Sequence, residues 1–364
     1  MIKDAIGKLV LKENLTEREM EEVMREITGK RASTAQIASF ITALRMKGEI
    51  PEEIIAAVKV MKERLSKIDL GDGAICLDRE EITVERETIL RTAKGISKGT
   101  NTFNISTATA LVVAGGGLKV AKCVKKSVHP LCGCADVIEA LGVNLDMTHT
   151  QLERCFKTLG ICFLHDHLAQ NGLEHIMAIR KKIGIRTIFN LLDSLINPGG
   201  AGVQVLGVYE PSLTETMALV LKDLGIGRGL VIHGDDTLDE ISITGKTKVT
   251  EFKDGEMKSY FIQPEDFGMK RGELEEIKGG TKEQNAKVIL EVLKGGRGGK
   301  RDIIVLNAAA AFMISGRAAD FREGIELANQ SIISGKALKT LNGLVQFTNA
   351  EQRFLRSAYE VEMG

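Results

Sequence analysis

Along residues 1–66 apolar side chains recur at helical spacing between clusters of charge: Met20, Val23, Met24 and Ile27, then Ile37, Phe40, Ile41 and Leu44. This period predicts helices. Thr16, three residues before Glu19, forms a capping-box pair, and Thr34 stands before the second apolar run. Pro51 heads EEIIAAVKVMKERL, where a first-turn proline loses no helical hydrogen bond.

From residue 67 the helical period stops. GDG at 71–73 signals a turn, and AICL and ITVERETIL read as strand segments, so a domain boundary falls near residue 70. Downstream, short apolar runs alternate with helical stretches: Leu118–Lys122, Ile161–Leu164, Gln204–Val208, Gly229–His233 and Ile303–Leu306. Such alternation predicts an α/β fold with a mainly parallel central sheet, whose ligands sit at the carboxyl ends of the strands. Residues 246–262 alternate and turn at Asp254-Gly255, a β-hairpin signature. KGGRGGKR at 294–301 reads as a flexible, solvated basic loop. The expected architecture is a small N-terminal helical domain, residues 1–70, and a larger α/β domain, residues 71–364, that carries the site.

Polar residues crowd most densely between the apolar runs of residues 98–146. Asn104, Ser106 and Thr107 stand where a helix over Ala108–Ala114 begins, and exposed amides at a helix start bind anions. After the strand LKVAK, Lys122, Lys125 and Lys126 are placed to face a phosphate. A second helix follows over Ala135–Leu141, with Gly142 as its cap.

The 364 residues, 43% hydrophobic and 27% charged, can bury one large core or two moderate ones. Basic and acidic residues cancel at 49 each, so no global field draws the chain to nucleic acid or a membrane. No apolar stretch approaches 20 residues and no leader pattern is visible, which predicts a cytoplasmic protein with its six cysteines reduced.

The motifs TNTFNISTA, KVAK, GCADVIEALGVNLD, RKKIGIRTIFNLL, LGVYEP, VIHG with LDEIS, DIIVLNAAAAF and GIELANQSIISGKAL occur in one order over nearly the whole chain. Together they resemble the anthranilate phosphoribosyltransferase family of tryptophan biosynthesis, related to class II nucleoside phosphorylases. The resemblance implies a homodimer through the N-terminal helices, joined by about 166–190. It also implies phosphoribosyl pyrophosphate as donor, a small aromatic acceptor and Mg2+. It assigns phosphate binding to Asn104, Ser106, Thr107 and Lys122, the acceptor carboxylate to Arg180, and the metal to Asp239 and Glu240.

Two stretches depart from the family pattern. Where the family reads GTGGD, this chain has KGISK, so Lys94 and Lys98 offer point charges in place of glycine amides. Where it reads His-Gly-Asn-Arg, this chain has Cys123-Val124-Lys125-Lys126, and His165, Asp166 and His167 replace the usual acceptor-loop residues. The expected activity is phosphoribosyl transfer to an aromatic or nitrogenous acceptor, with a divergent paralogue of altered substrate as a refinement. The alternative is a non-catalytic paralogue that binds a phosphorylated ligand or nucleic acid through Lys94, Lys98, Lys125 and Lys126. Cys123, His129, Cys132 and Cys134 lie close in sequence, but C-x5-H-x2-C-x-C is no standard ligand spacing, and the expected state is reduced and metal-free.

Overall fold

The helical period of the first 63 residues is realised as α1 (Ile2–Val10), α2 (Glu17–Thr28), α3 (Thr34–Lys47) and α4 (Pro51–Lys62). Thr16 caps α2 in a reciprocal pair with Glu19. The cap of α3 is Ser33, one residue before Thr34, because Ser33 has the extended backbone from which a hydroxyl reaches the amide of Gln36. Pro51 occupies the first turn of α4, as the sequence requires.

The computed structural model describes residues 1–63, 74–79, 102–124, 132–165, 173–196 and 202–362. After α4 come β1 (Ala74–Arg79), α5 (Ile105–Gly115), β2 (Lys119–Val124), α6 (Cys134–Ala140), α7 (His149–Leu159), β3 (Ile161–His165), α8 (Glu174–Ile183) and α9 (Ile188–Leu195). The chain continues through β4 (Val203–Gly207), α10 (Leu213–Asp223), β5 (Arg228–Gly234), β6 (Thr247–Lys253) and β7 (Glu256–Ile262). It closes with α11 (Lys282–Leu293), α12 (Gly299–Ile314), α13 (Phe321–Ile333) and α14 (Lys336–Glu362).

The seven strands among the described residues form one sheet in the order β3-β2-β1-β4-β5-β6-β7. The first five run parallel, and the β6–β7 hairpin, turning at Asp254-Gly255, adds two antiparallel strands at one edge. Strand order reverses at β1: β2 and β3 lie on one side and β4 and β5 on the other. Crevices that receive ligands open at such a reversal, at the carboxyl ends of the strands.

Two apolar cores flank this sheet. One joins α5, α6, α7, α12 and α13 to the sheet face that carries Val120, Leu230 and Ile232. The other joins α1–α4 to α8, α9 and α10, and to Leu206 and Val231 on the opposite face.

Ile303–Leu306, read as a strand from its apolar run, is the middle of α12. The run continues through Ala308–Ala311, and all of these residues are buried. A helix buried on every side has no polar stripe to reveal its period, so the sequence pattern could not separate the two forms. Of the basic loop, Gly295 and Gly298 take positive φ, but Lys300 and Arg301 already belong to the first turn of α12. The strand expected over residues 82–90 lies outside the described residues. Among those described, no helix is long and apolar enough to cross a membrane.

Candidate active site

Helix α5 packs on β1 and β2, and the chain enters it after leaving the carboxyl end of β1. A helix reached in this way runs back along the strands, which puts its N-terminus at their carboxyl ends. Asn104 is the N-cap residue, and the first intrahelical bond runs from the Ala108 amide to its carbonyl. The Asn104 side chain does not cap the helix. Its Oδ1 accepts from Asn285 Nδ2 at 3.0 Å, and Asn285 Oδ1 accepts from the Gly280 amide at 2.7 Å. This leaves Asn104 Nδ2 as the donor to offer a ligand.

Thr107, in the first turn of α5, is 0% exposed, and its Oγ1 has no hydrogen-bond partner. A buried hydroxyl without a partner costs free energy, about 1–3 kcal/mol, unless something arrives to bond it. Ser106 is half-buried on the same first turn. The loop before α5 is fixed by a bridge between Thr102 and Lys278, and by Gly279, whose Cβ would lie 2.5 Å from the Thr102 carbonyl oxygen.

On the neighbouring strand Lys122 is only 2% exposed, in register with Phe163 of β3. Val124 and His165 pair at the carboxyl ends of β2 and β3, which brings the half-buried His165 beside the end of the lysine strand. Lys94, Lys98, Lys125, Lys126 and His167 lie outside the described residues.

Across the strand reversal, β5 ends in Gly234 and leads to Asp239 and Glu240. Their loop is held from several sides. Asp236 accepts from the hydroxyls of Ser242 and Thr244, and the Gly234 amide donates to the Leu238 carbonyl at 2.8 Å. Asn307 of α12 clasps the backbone of Ile241 with two bonds of 2.9 Å, so the buried run that concealed a helix also braces the acidic loop. Thr237 adopts φ +69°, a conformation unfavourable for a β-branched residue. Gly207, at the end of β4, passes directly beneath Asp239: a Cβ there would lie 1.7 Å from the Asp239 carbonyl oxygen.

Glu240 is 3% exposed and Asp239 half-buried. Two hard carboxylates on a braced loop suit Mg2+, which takes one or two protein oxygens and completes its shell with water and substrate phosphate. Among the described residues no group of three or more His, Cys, Asp or Glu is placed to hold a metal ion. The Cys132 thiol is pushed up to about 12, first by burial and then by Asp136. Cys134 is buried at the start of α6, and His129 lies outside the described residues.

Arg180 sits on α8, in the second core, and is 6% exposed. Its Nη1 donates to Asp193 Oδ2 of α9 at 3.0 Å, and its guanidinium carbon lies 5.9 Å from the centroid of the Phe189 ring. Asp193, Asp236, Gly207, Asn285 and Asn307 are structural contributors that residue spacing did not announce. Each acts through a contact distant in sequence or through the absence of a side chain, and neither leaves a local pattern.

Comparison with known proteins agrees with this layout. A family model described as "Glycosyl transferase family, helical bundle domain" matches residues 3–65, and one described as "Glycosyl transferase family, a/b domain" matches residues 97–338. The anthranilate phosphoribosyltransferase of Geotalea uraniireducens is 46% identical over 349 residues, covering 96% of this chain and 100% of its own. The crystal structure of the anthranilate phosphoribosyltransferase from Thermus thermophilus superposes with a TM-score of 0.84 at 35% identity, covering 95% of this chain and 99% of that one. The Saccharomyces cerevisiae enzyme in complex with PRPP and Mg gives a TM-score of 0.82 at 25% identity, covering 96% of this chain and 98% of that one.

Proposed function

We propose, from the premise that this chain belongs to the anthranilate phosphoribosyltransferase family, that it transfers the phosphoribosyl group of phosphoribosyl pyrophosphate to the amine nitrogen of anthranilate. The new bond joins nitrogen to ribose C1, the bond from C1 to the pyrophosphate oxygen breaks, and the nitrogen sheds a proton. The transition state is oxocarbenium-like, so positioning and charge stabilisation carry the catalysis.

The amides at the start of α5, Asn104 Nδ2, Ser106 and Thr107 Oγ1 bind phosphate oxygens, and the buried Lys122 adds positive charge in a poorly solvated setting. Asp239 and Glu240 hold Mg2+, which supplies charge neutralisation to the leaving pyrophosphate. Arg180 receives the acceptor carboxylate, a planar anion suited to a guanidinium. His165, with His167, borders the acceptor. Lys94, Lys98, Lys125 and Lys126 contribute further cations to the phosphate side. A non-catalytic binder of nucleic acid or a phosphorylated ligand is not favoured, because a transferase 46% identical matches the chain almost end to end.

The observation that carries the reading is the unpartnered Thr107 hydroxyl, buried at the start of α5. Thr107→Val removes it at nearly constant volume. The unliganded protein should then be no less stable, while phosphoribosyl pyrophosphate binds more weakly by about 0.5–1.5 kcal/mol, a single hydrogen bond. Calorimetric titration of both proteins with the donor and Mg2+ decides this; equal affinity would remove Thr107 from the site.

The same reading makes the protein a cytoplasmic homodimer. Cys123, Cys132, Cys134, Cys155 and Cys162 form no disulfide, which suits a reducing compartment. Val10 and Met46 expose apolar surface on α1 and α3, which pack together, and Leu11 does so just beyond the end of α1. Sedimentation at micromolar concentration tests the dimer, and a monomer there contradicts it.

A further inference from the structure

A guanidinium withdrawn from water requires an anion beside it. Arg180 already has one: Asp193 Oδ2 lies 3.0 Å from Nη1, with the two side chains 7% and 17% exposed. Met177 Sδ lies 3.3 Å from the same nitrogen. The group that the proposed function assigns to the acceptor's carboxylate is thus engaged by a carboxylate of the chain itself. An acceptor that brings a second carboxylate meets a neutralised pair rather than a bare cation. A second carboxylate is repelled by Asp193 and must share the guanidinium with it, whereas an uncharged aromatic amine leaves the pair intact.

We propose that Asp193 determines acceptor specificity, as an internal carboxylate that competes with the acceptor's own for Arg180. The proposal rests on the acceptor role given to Arg180 above. It has two consequences. Anthranilate binds this protein less tightly than a cationic site would allow, and aromatic amines without a carboxylate, of which aniline is the simplest, bind comparably well. A charge-assisted hydrogen bond lost or shared corresponds to about 10- to 100-fold in affinity, and Asp193 sets the acceptor preference within that range.

The test uses the full chain with phosphoribosyl pyrophosphate and Mg2+. In the unmodified protein, calorimetry should find the dissociation constants of anthranilate and aniline within about tenfold of one another. This arm needs no variant to fold, and a preference for anthranilate beyond about 100-fold overturns the proposal. Asp193→Asn keeps the shape and a hydrogen-bonding oxygen while removing the charge. It should lower the anthranilate KM by about tenfold or more, with the aniline and donor KM values unmoved. Adding Arg180→Gln to Asp193→Asn should abolish that gain.

If Arg180→Gln alone raises the anthranilate KM while Asp193→Asn leaves it unchanged or raises it, Arg180 holds the acceptor but Asp193 only positions it, and the proposal is wrong. If Arg180→Gln leaves every acceptor KM unchanged, the acceptor role of Arg180 fails, and the proposal falls with it. The two failures are therefore distinguishable.

Discussion

Alanine at Gly207 would place a methyl group 1.7 Å from the Asp239 carbonyl oxygen and 2.5 Å from its carbonyl carbon. Real Cβ atoms do not approach closer than 3.0 Å, so β4 or the acidic loop must retreat by more than 1 Å. Yielding is hard on both sides. Gly207 pairs in register with Arg79 of β1 and Ile232 of β5, and the loop is tied down through Asp236 and Asn307. Overpacking of this kind costs about 1–3 kcal/mol of stability. Displacing a catalytic group by about 1 Å costs on the order of 100-fold in rate. Gly207→Ala should therefore fold, with a lowered urea midpoint, and lose about two orders of magnitude in kcat/KM together with a raised Mg2+ requirement. Initial rates across a Mg2+ titration, with circular dichroism to confirm folding, measure both. Full activity at unchanged Mg2+ dependence would refute the view that Gly207 seats the metal-binding pair.

Thr237→Gly acts on the same loop in the opposite direction. Thr237 is exposed, so glycine loses no packing. Relief of a left-handed conformation worth about 1–2 kcal/mol outweighs the 0.5–1 kcal/mol entropy cost of glycine, and a net gain of about 0.5–1 kcal/mol should appear as a higher urea midpoint at constant slope; a lower midpoint contradicts the strain. Burial pushes the Glu215 carboxyl up, but hydrogen bonds from Lys248, Thr214 and Ser259 outweigh it and hold it down to about 2. A depressed carboxylate contributes stability that is complete above its ordinary value and is lost as pH falls towards 2. Glu215→Gln should lower the thermal midpoint at pH 6 and not at pH 2. The difference stays below about 1 kcal/mol because the side chain is 40% exposed and solvent screens the pair; an equal effect at both pH values contradicts this account.

Elements whose order is written locally were legible in the sequence. Thr16 with Glu19, Pro51, the Asp254-Gly255 turn and the helix start at Asn104 each depend on neighbours within a few residues, and each is found where expected. The mainly parallel sheet also followed, because alternating strands and helices leave few other arrangements. Ile303–Leu306 was misread because burial on all sides erases the helical period. Long-range brackets stayed hidden: Asn285 on Asn104 is 181 residues away, and Asn307 on Ile241 is 66 residues away. Arg180 was visible through its motif, but its partner Asp193 on the next helix was not. A carboxylate in an apolar stretch reads as a solvated surface charge until the fold places it against the arginine.

The most direct test of the central claim is chromatography of a reaction containing the full-length protein, phosphoribosyl pyrophosphate, anthranilate and Mg2+. The account predicts phosphoribosyl anthranilate and pyrophosphate in equal amounts, formed over many turnovers and abolished when Asp239 and Glu240 are replaced by Asn and Gln. If no product forms although calorimetry shows both substrates bound, or if product forms undiminished without the two carboxylates, the account is contradicted.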